Sequence, residues 1–144
     1  MLGVITVPTP EMFDMVKWTS NALGNTAAPD DCYLGLRGLR TLSVRLERHQ
    51  RNALILAEWL LGRDEVENVL YPALESDPGH AIWRRNFSGA SGLFGVLLKN
   101  YPKKAVAAML DGLKLFGMGA SWGGYESLIL LTHPEKFRTV APWR

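Results

Sequence analysis

Leu39-Arg40-Thr41-Leu42-Ser43-Val44-Arg45-Leu46 begins a run that decides the fold, because it continues through His49, Ala53, Leu56 and Leu60 in strict steps of three and four. That period belongs to a helix with one face laid against a partner surface. Asp30 and Asp31 open the tract, and few breakers interrupt it before Gly62. At ~1.5 Å per residue it would reach roughly 50 Å, longer than a small domain is wide, which predicts a helix bridging two bodies. Gly38 is the expected place for a bend or break. His49 fills one slot of the stripe, where a hydrogen-bonded interface histidine is preferred over a general base. Arg37, Arg40, Arg45, Arg48 and Arg51 make the tract basic, partly offset by Glu47 and Glu58. A solvated or subunit-facing side is preferred for them over phosphate or nucleic-acid contact.

Outward toward the start, residues 1–7 are apolar and β-branched and stop at Pro8, which predicts a buried strand. Thr9-Pro10-Glu11 supplies an N-cap, a first-turn proline and an early acid, so a helix should run to about Ala22 and stop at Gly24. Met12, Met15, Val16 and Leu23 mark its inner side. Residues 25–29 read as a linker of small residues. Outward toward the end, residues 66–70 read as a strand and Tyr71-Pro72-Ala73-Leu74 as an extended exit. A short helix over 78–86 follows, then a glycine hinge at 89–92, a strand over 93–98 and a helix from Pro102 to Gly112. Residues 115–118 form a further strand, 121–127 a turn and 128–131 an apolar strand, together a small α+β layer.

With 144 residues, 47% of them hydrophobic and 21% charged, the chain can bury a core and is not of disordered composition. A formal charge of +2 is too weak a bias to argue for nucleic acid or an acidic membrane. The single Cys32 excludes an internal disulfide framework, and three scattered histidines give a metal centre little to work with. No apolar run approaches the ~20 residues of a membrane span. The first residues lack the features of a signal peptide, so a cytoplasmic location is expected.

Gly119-Ala120-Ser121-Trp122-Gly123 matches the G-x-S-x-G of a hydrolase nucleophile elbow, in which a sharp strand-to-helix turn exposes the serine. The context argues against an elbow here, because another turn and an apolar run follow, with Glu126 and His133 the only serious triad candidates. Gly117, Gly119, Gly123 and Gly124 could also cradle a phosphate, but the Gly-Lys-Ser/Thr ending of a P-loop is missing. A tight glycine turn between strands remains the simpler reading. Cys32 reads as a small core residue, and His80 and His133 lack a neighbouring nucleophile. The five tryptophans read mostly as packing residues, except Trp122, which could line a pocket mouth.

Six quoted segments in order carry a resemblance: Arg37-Gly38-Leu39-Arg40-Thr41-Leu42 with Arg45-Leu46, Ala57-Glu58-Trp59-Leu60, Tyr71-Pro72-Ala73-Leu74, Ser91-Gly92-Leu93-Phe94 and Ser121-Trp122-Gly123-Gly124-Tyr125-Glu126-Ser127-Leu128. Together they resemble the Cys/Met-metabolism enzymes that use pyridoxal phosphate, and Ser-Trp-Gly-Gly is most similar to the bacterial cystathionine β-lyase branch. The resemblance covers essentially the whole chain. It implies an α/β fold: the tail of a fold-type-I large domain over residues 1–50, a long linking helix, and a small C-terminal α+β domain over 51–144 that lacks its last segment. It also implies a carbon–sulfur lyase that cleaves L-cystathionine to homocysteine, pyruvate and ammonia in methionine biosynthesis. Pyridoxal 5'-phosphate would be its cofactor and electron sink. Ser121 and Trp122 match positions near the substrate carboxylate, which their hydroxyl and backbone N–H groups would hold.

The chain departs from that pattern in three main places. Lys17, Lys99, Lys103, Lys104, Lys114 and Lys136 all lie outside the Ser-x-Thr-Lys context of the family, so the Schiff-base lysine is expected to be absent, and Met1-Leu2-Gly3 resembles the segment just after it. The phosphate and pyridine-nitrogen contacts lie further upstream in the family. The arginine that clamps the substrate carboxylate is expected beyond Arg144, and neither Arg138 nor Arg144 matches it. A lesser departure is Ala120, where related lyases often carry an aromatic residue. The expectation is therefore a C-terminal fragment, inactive alone, acting as a homo-oligomer in the manner of the family's tetramer or with a complementing N-terminal polypeptide. Neither nucleic acid nor membrane is an expected partner. A noncatalytic oligomerisation module and a serine hydrolase using Ser121 are the alternatives.

Overall fold

The computed structural model describes residues 2–140, and the chain divides into two units, Met1–Val44 and Arg45–Arg144. The first unit contains α1 (Pro10–Leu23) and α2 (Pro29–Arg40). Thr9 Oγ1 accepts the Met12 N–H at 3.3 Å, and Pro10 occupies the first turn, where a missing N–H costs nothing. The helix ends at Gly24 with φ 69, the Gly24 N–H donating to Asn21 O and the Asn25 N–H to Ser20 O. Only glycine enters that left-handed conformation cheaply, so the expected stop is the observed one.

Residues 2–7 do not form the expected strand: they pair with no strand among the described residues, and Val4 is 83% exposed. The supposed inner side of α1 is also open at Met12, Met15 and Leu23. A unit of 44 residues with two helices and, among the described residues, no strand offers those side chains little to pack against, since the share of surface a chain buries falls with its size. Cys32 is exposed as well, not the core residue expected.

The long tract breaks in two at Thr41, three residues past Gly38. The Thr41 N–H and Oγ1 both donate to the Gly38 carbonyl, at 3.3 and 3.2 Å, so the threonine hydroxyl competes for a helix acceptor and ends α2. Past the break, α3 (Leu42–Leu61) is roughly 30 Å long, not 50 Å.

In the second unit α3 supplies Ala53 and Ala57 to a core completed by Val66, Val69, Tyr71 and Leu74, with Leu54, Leu60, Phe94 and Leu98 packed around it. The two alanines lie one helical turn apart, on the face of α3 that joins this core. That sheet pairs β1 (Val66–Leu70) with β2 (Gly95–Leu98) antiparallel, Leu70 opposite Gly95 and Val69 opposite Val96, with an irregularity between Val66 and Asn68. β2 starts later than the sequence suggests because Ser91 Oγ accepts the Leu93 N–H at 3.3 Å. Next come α4 (His80–Asn86) and α5 (Lys103–Asp111), then β3 (Phe116–Met118) and β4 (Ser127–Ile129). The last two pair in parallel, so the expected single layer is two separate two-stranded sheets. A 3-10 turn at Pro134–Lys136 follows. Among the described residues no helix is long and apolar enough to cross a membrane.

Candidate functional site

A parallel strand pair forces its connection to carry the chain back along the full strand, usually through a helix and a dozen or more residues. β3 and β4 do this with loop 119–126 alone, which is feasible because three-residue strands are only ~10 Å long. The loop leaves β3 through a Gly119 N–H bond to Ile129 O at 3.2 Å and passes close over Leu128, whose Cδ2 would lie 3.2 Å from a Cβ at position 119. It then reverses at Gly123, φ 89. A side chain there would be strained whatever the space around it. Ala120, Ser121, Trp122, Gly124, Tyr125 and Glu126 are left exposed on this loop.

A long-range hydrogen bond ties the loop to α3. The Arg45 guanidinium donates to the Gly123 carbonyl at 3.1 Å, across 78 positions of sequence. Arg45 is half-buried, whereas Arg37, Arg40, Arg48 and Arg51 are exposed, so the expectation of a uniformly outward basic side fails at this residue. A carbonyl across the fold accepts from one of its donors, in a bond strengthened by the charge.

The hydrolase alternative does not survive. Ser121 does not lead into a helix, since the next element among the described residues is β4, and His133 Nδ1 pairs with Glu135 Oε1 at 3.2 Å. Among the described residues no hydrogen bond connects Ser121 to a histidine or carboxylate, so the elbow and its triad are both missing.

Segment 89–92, expected to be a hinge, is pinned from four sides. Trp83 Nε1 donates to Gly89 O at 3.3 Å, Gln50 Oε1 accepts the Ala90 N–H at 2.8 Å, and the Tyr71 hydroxyl donates to Ser91 O at 2.7 Å. Gly92 lies over His49, with a Cβ there only 3.3 Å from His49 Cβ. His49 thus packs against Gly92, and among the described residues its ring makes no hydrogen bond of the kind expected of it. Burial holds the Tyr71 phenol above its ordinary pKa, so the hydroxyl stays protonated as a donor. His80 Nδ1 lies 2.9 Å from Pro72 O, and its ring packs on Trp83 at 5.3 Å, a structural arrangement. Sequence reasoning missed Arg45, Gln50 and Tyr71 as organising residues, because each acts on backbone far away in the chain.

A model of the Cys/Met metabolism PLP-dependent enzymes matches residues 1–143, and the chain belongs to that family. It is 41% identical over 143 residues to the cystathionine beta-lyase of Salmonella typhimurium, covering 99% of this chain and 36% of that one. It is 45% identical over 131 residues to the L-alanine/L-glutamate racemase of Wolbachia pipientis, covering 90% and 32%. Among solved structures, cystathionine gamma synthase from Xanthomonas oryzae pv. oryzae in complex with cystathionine superposes with a TM-score of 0.80 at 42% identity, over 89% of this chain and 32% of that one. The chain spans about a third of the length of these relatives. These three, named for lyase, racemase and synthase chemistry, are 41%, 45% and 42% identical here, a spread too narrow to select the reaction.

Pyridoxal phosphate is the family's cofactor. All six lysines of the chain, Lys17, Lys99, Lys103, Lys104, Lys114 and Lys136, are exposed. A lysine that forms a Schiff base is commonly activated by desolvation, and the described residues desolvate none of these side chains.

Proposed function

We propose that this chain forms the substrate-carboxylate side of a PLP-dependent carbon–sulfur β-lyase acting on L-cystathionine, with homocysteine, pyruvate and ammonia as products. The observation that carries the reading is the display of Ser121 and Trp122 on an exposed glycine-rich crossover loop. The Ser121 hydroxyl and the loop's backbone N–H groups donate to the amino-acid carboxylate, in bonds strengthened by its charge. Trp122 lends an apolar wall beside them. The Ser-Trp-Gly-Gly form of the loop, most similar to the bacterial cystathionine β-lyase branch, supports β-lyase over racemase.

The residues present do not fit the cofactor's covalent site, and no lysine of this chain carries the Schiff base. The cofactor, when bound, supplies the electron sink for loss of the Cα proton. This chain's own residues bind the carboxylate and fix its direction.

Residues 1–50 correspond in this reading to the tail of a fold-type-I large domain and 51–144 to the small C-terminal domain, a division supported by the unit boundary at Val44 and Arg45. The exposed Met15, Trp18 and Leu23 of α1 support cover by another polypeptide, either a complementing N-terminal segment or a further copy in a homo-oligomer. The location is cytoplasmic.

Co-expression of this chain with the preceding two thirds of the Salmonella relative, followed by pyruvate release from L-cystathionine, tests the reading. Release is expected, with KM raised at least tenfold by Ser121→Ala. A folded, cofactor-loaded complex that releases no pyruvate, or that keeps its KM in the variant, contradicts it.

A further inference from the structure

We infer that Arg45 is a positioning residue for loop 119–126: its bond to the Gly123 carbonyl sets the direction in which Ser121 and the loop's N–H groups face a carboxylate. The inference rests on the reading of that loop given under Proposed function. Three observations carry it. Arg45 is the one residue of the five-arginine series that is sheltered, and its guanidinium meets Gly123 O at 3.1 Å. Gly123 is the point of reversal, at φ 89, where a glycine backbone has many accessible conformations and needs an outside contact to choose one. The loop's own backbone anchor, Gly119 to Ile129 O, lies at its start, ahead of the reversal at Gly123.

The peptide plane transmits the restraint. C=O of residue 123 and N–H of residue 124 point in opposite directions across one trans peptide, so fixing the carbonyl toward α3 fixes the Gly124 N–H away from it. A rotation of that plane would turn the carbonyl outward, presenting an acceptor where an anion needs a donor. Arginine suits the task because its planar fork is pre-organised and always charged, whereas lysine offers a strongly hydrated point charge.

The test uses the full 144-residue chain, labelled with 15N, as wild type, Arg45→Met, Arg45→Lys and Ser121→Ala. Amide exchange at Gly123 and Gly124, the Trp122 indole resonance and titration with L-cystathionine are read, with Val69 amide exchange reporting the core. Arg45→Met is expected to speed exchange at Gly123 and Gly124 at least tenfold with Val69 unchanged, to shift the Trp122 indole, and to weaken L-cystathionine binding at least tenfold. Arg45→Lys should restore these in part. Loop exchange in Arg45→Met equal to wild type overturns the inference, as does acceleration that is equal at Val69, which marks plain loss of stability. The carboxylate reading fails separately: if wild type and Ser121→Ala interact alike with L-cystathionine while loop exchange still depends on Arg45, the tether stands and the assignment of Ser121 falls.

Discussion

Gln50 on α3 and Ala90 ahead of β2 are joined by a 2.8 Å hydrogen bond, the side-chain Oε1 accepting the backbone N–H across 40 positions of sequence. Gly89 is part of the same arrangement, because a Cβ there would lie 2.7 Å from Gln50 Oε1. Gln50→Ala leaves a partly sheltered N–H without its acceptor and should cost about 1–3 kcal/mol. Gly89→Ala should displace the same amide. The two substitutions are expected to be non-additive in urea unfolding of the chain, with the double variant little worse than Gln50→Ala alone. Full additivity would dissociate Gly89 from this bond.

The Tyr71 hydroxyl, donating to Ser91 O, makes the second unit sensitive to alkali. Burial raises the folded-state pKa, while the unfolded phenol titrates near pH 10. Between those values the unfolded chain binds fewer protons, so stabilisation that is complete below about pH 10 drains as pH rises through the folded value. Tyr71→Phe should cost about 0.5–1.5 kcal/mol at pH 8 and should flatten the alkaline part of the stability curve. Urea midpoints at pH 8 and above pH 10 for the two proteins check this, and parallel curves would refute it.

Both ends of α1 offer independent tests. Thr9→Ala removes the acceptor of the Met12 N–H and should cost about 1 kcal/mol. Gly24→Ala forces a Cβ into the left-handed region at a cost of roughly 1–2 kcal/mol. Trp18 fluorescence during urea unfolding reports either loss. Glu11 adds a pH signature, since its own backbone N–H and the Thr9 hydroxyl hold its carboxyl below the ordinary range. That contribution is present above the unfolded value, about pH 4.3, and disappears as pH falls through the folded one. Thr9→Ala should therefore narrow the loss of α1 helicity on acidification.

Elements set by local chemistry were legible from the sequence. Thr9, Pro10 and Gly24 act on their own neighbours and delimit α1 closely; Val66 to Leu70 is a short strand with Val66, Val69 and Leu70 around the polar Glu67 and Asn68. What escaped depends on partners distant in the chain. Residues 2–7 have strand composition, yet a strand exists only where another edge meets it. Glycines at 89 and 92 announce a backbone of unusual freedom, but their spacing does not reveal that Gln50, Tyr71, Trp83 and His49 remove that freedom. Five arginines in one tract look alike by charge, and the direction in which Arg45 points is decided by the Gly123 carbonyl 78 positions later. Of the candidate site, the Ser121 and Trp122 loop was visible as a motif, while its support from α3 was not.

The proposed division of labour is that these 144 residues hold the substrate carboxylate and that the lysine carrying the cofactor lies outside them. Incubation of the chain with pyridoxal phosphate and borohydride, alone and together with the complementing segment of the Salmonella relative, followed by peptide mapping, measures that division directly. The account predicts no stoichiometric label on Lys17, Lys99, Lys103, Lys104, Lys114 or Lys136, and one label on a lysine of the complementing segment. One-to-one labelling of a single lysine within this chain would contradict it.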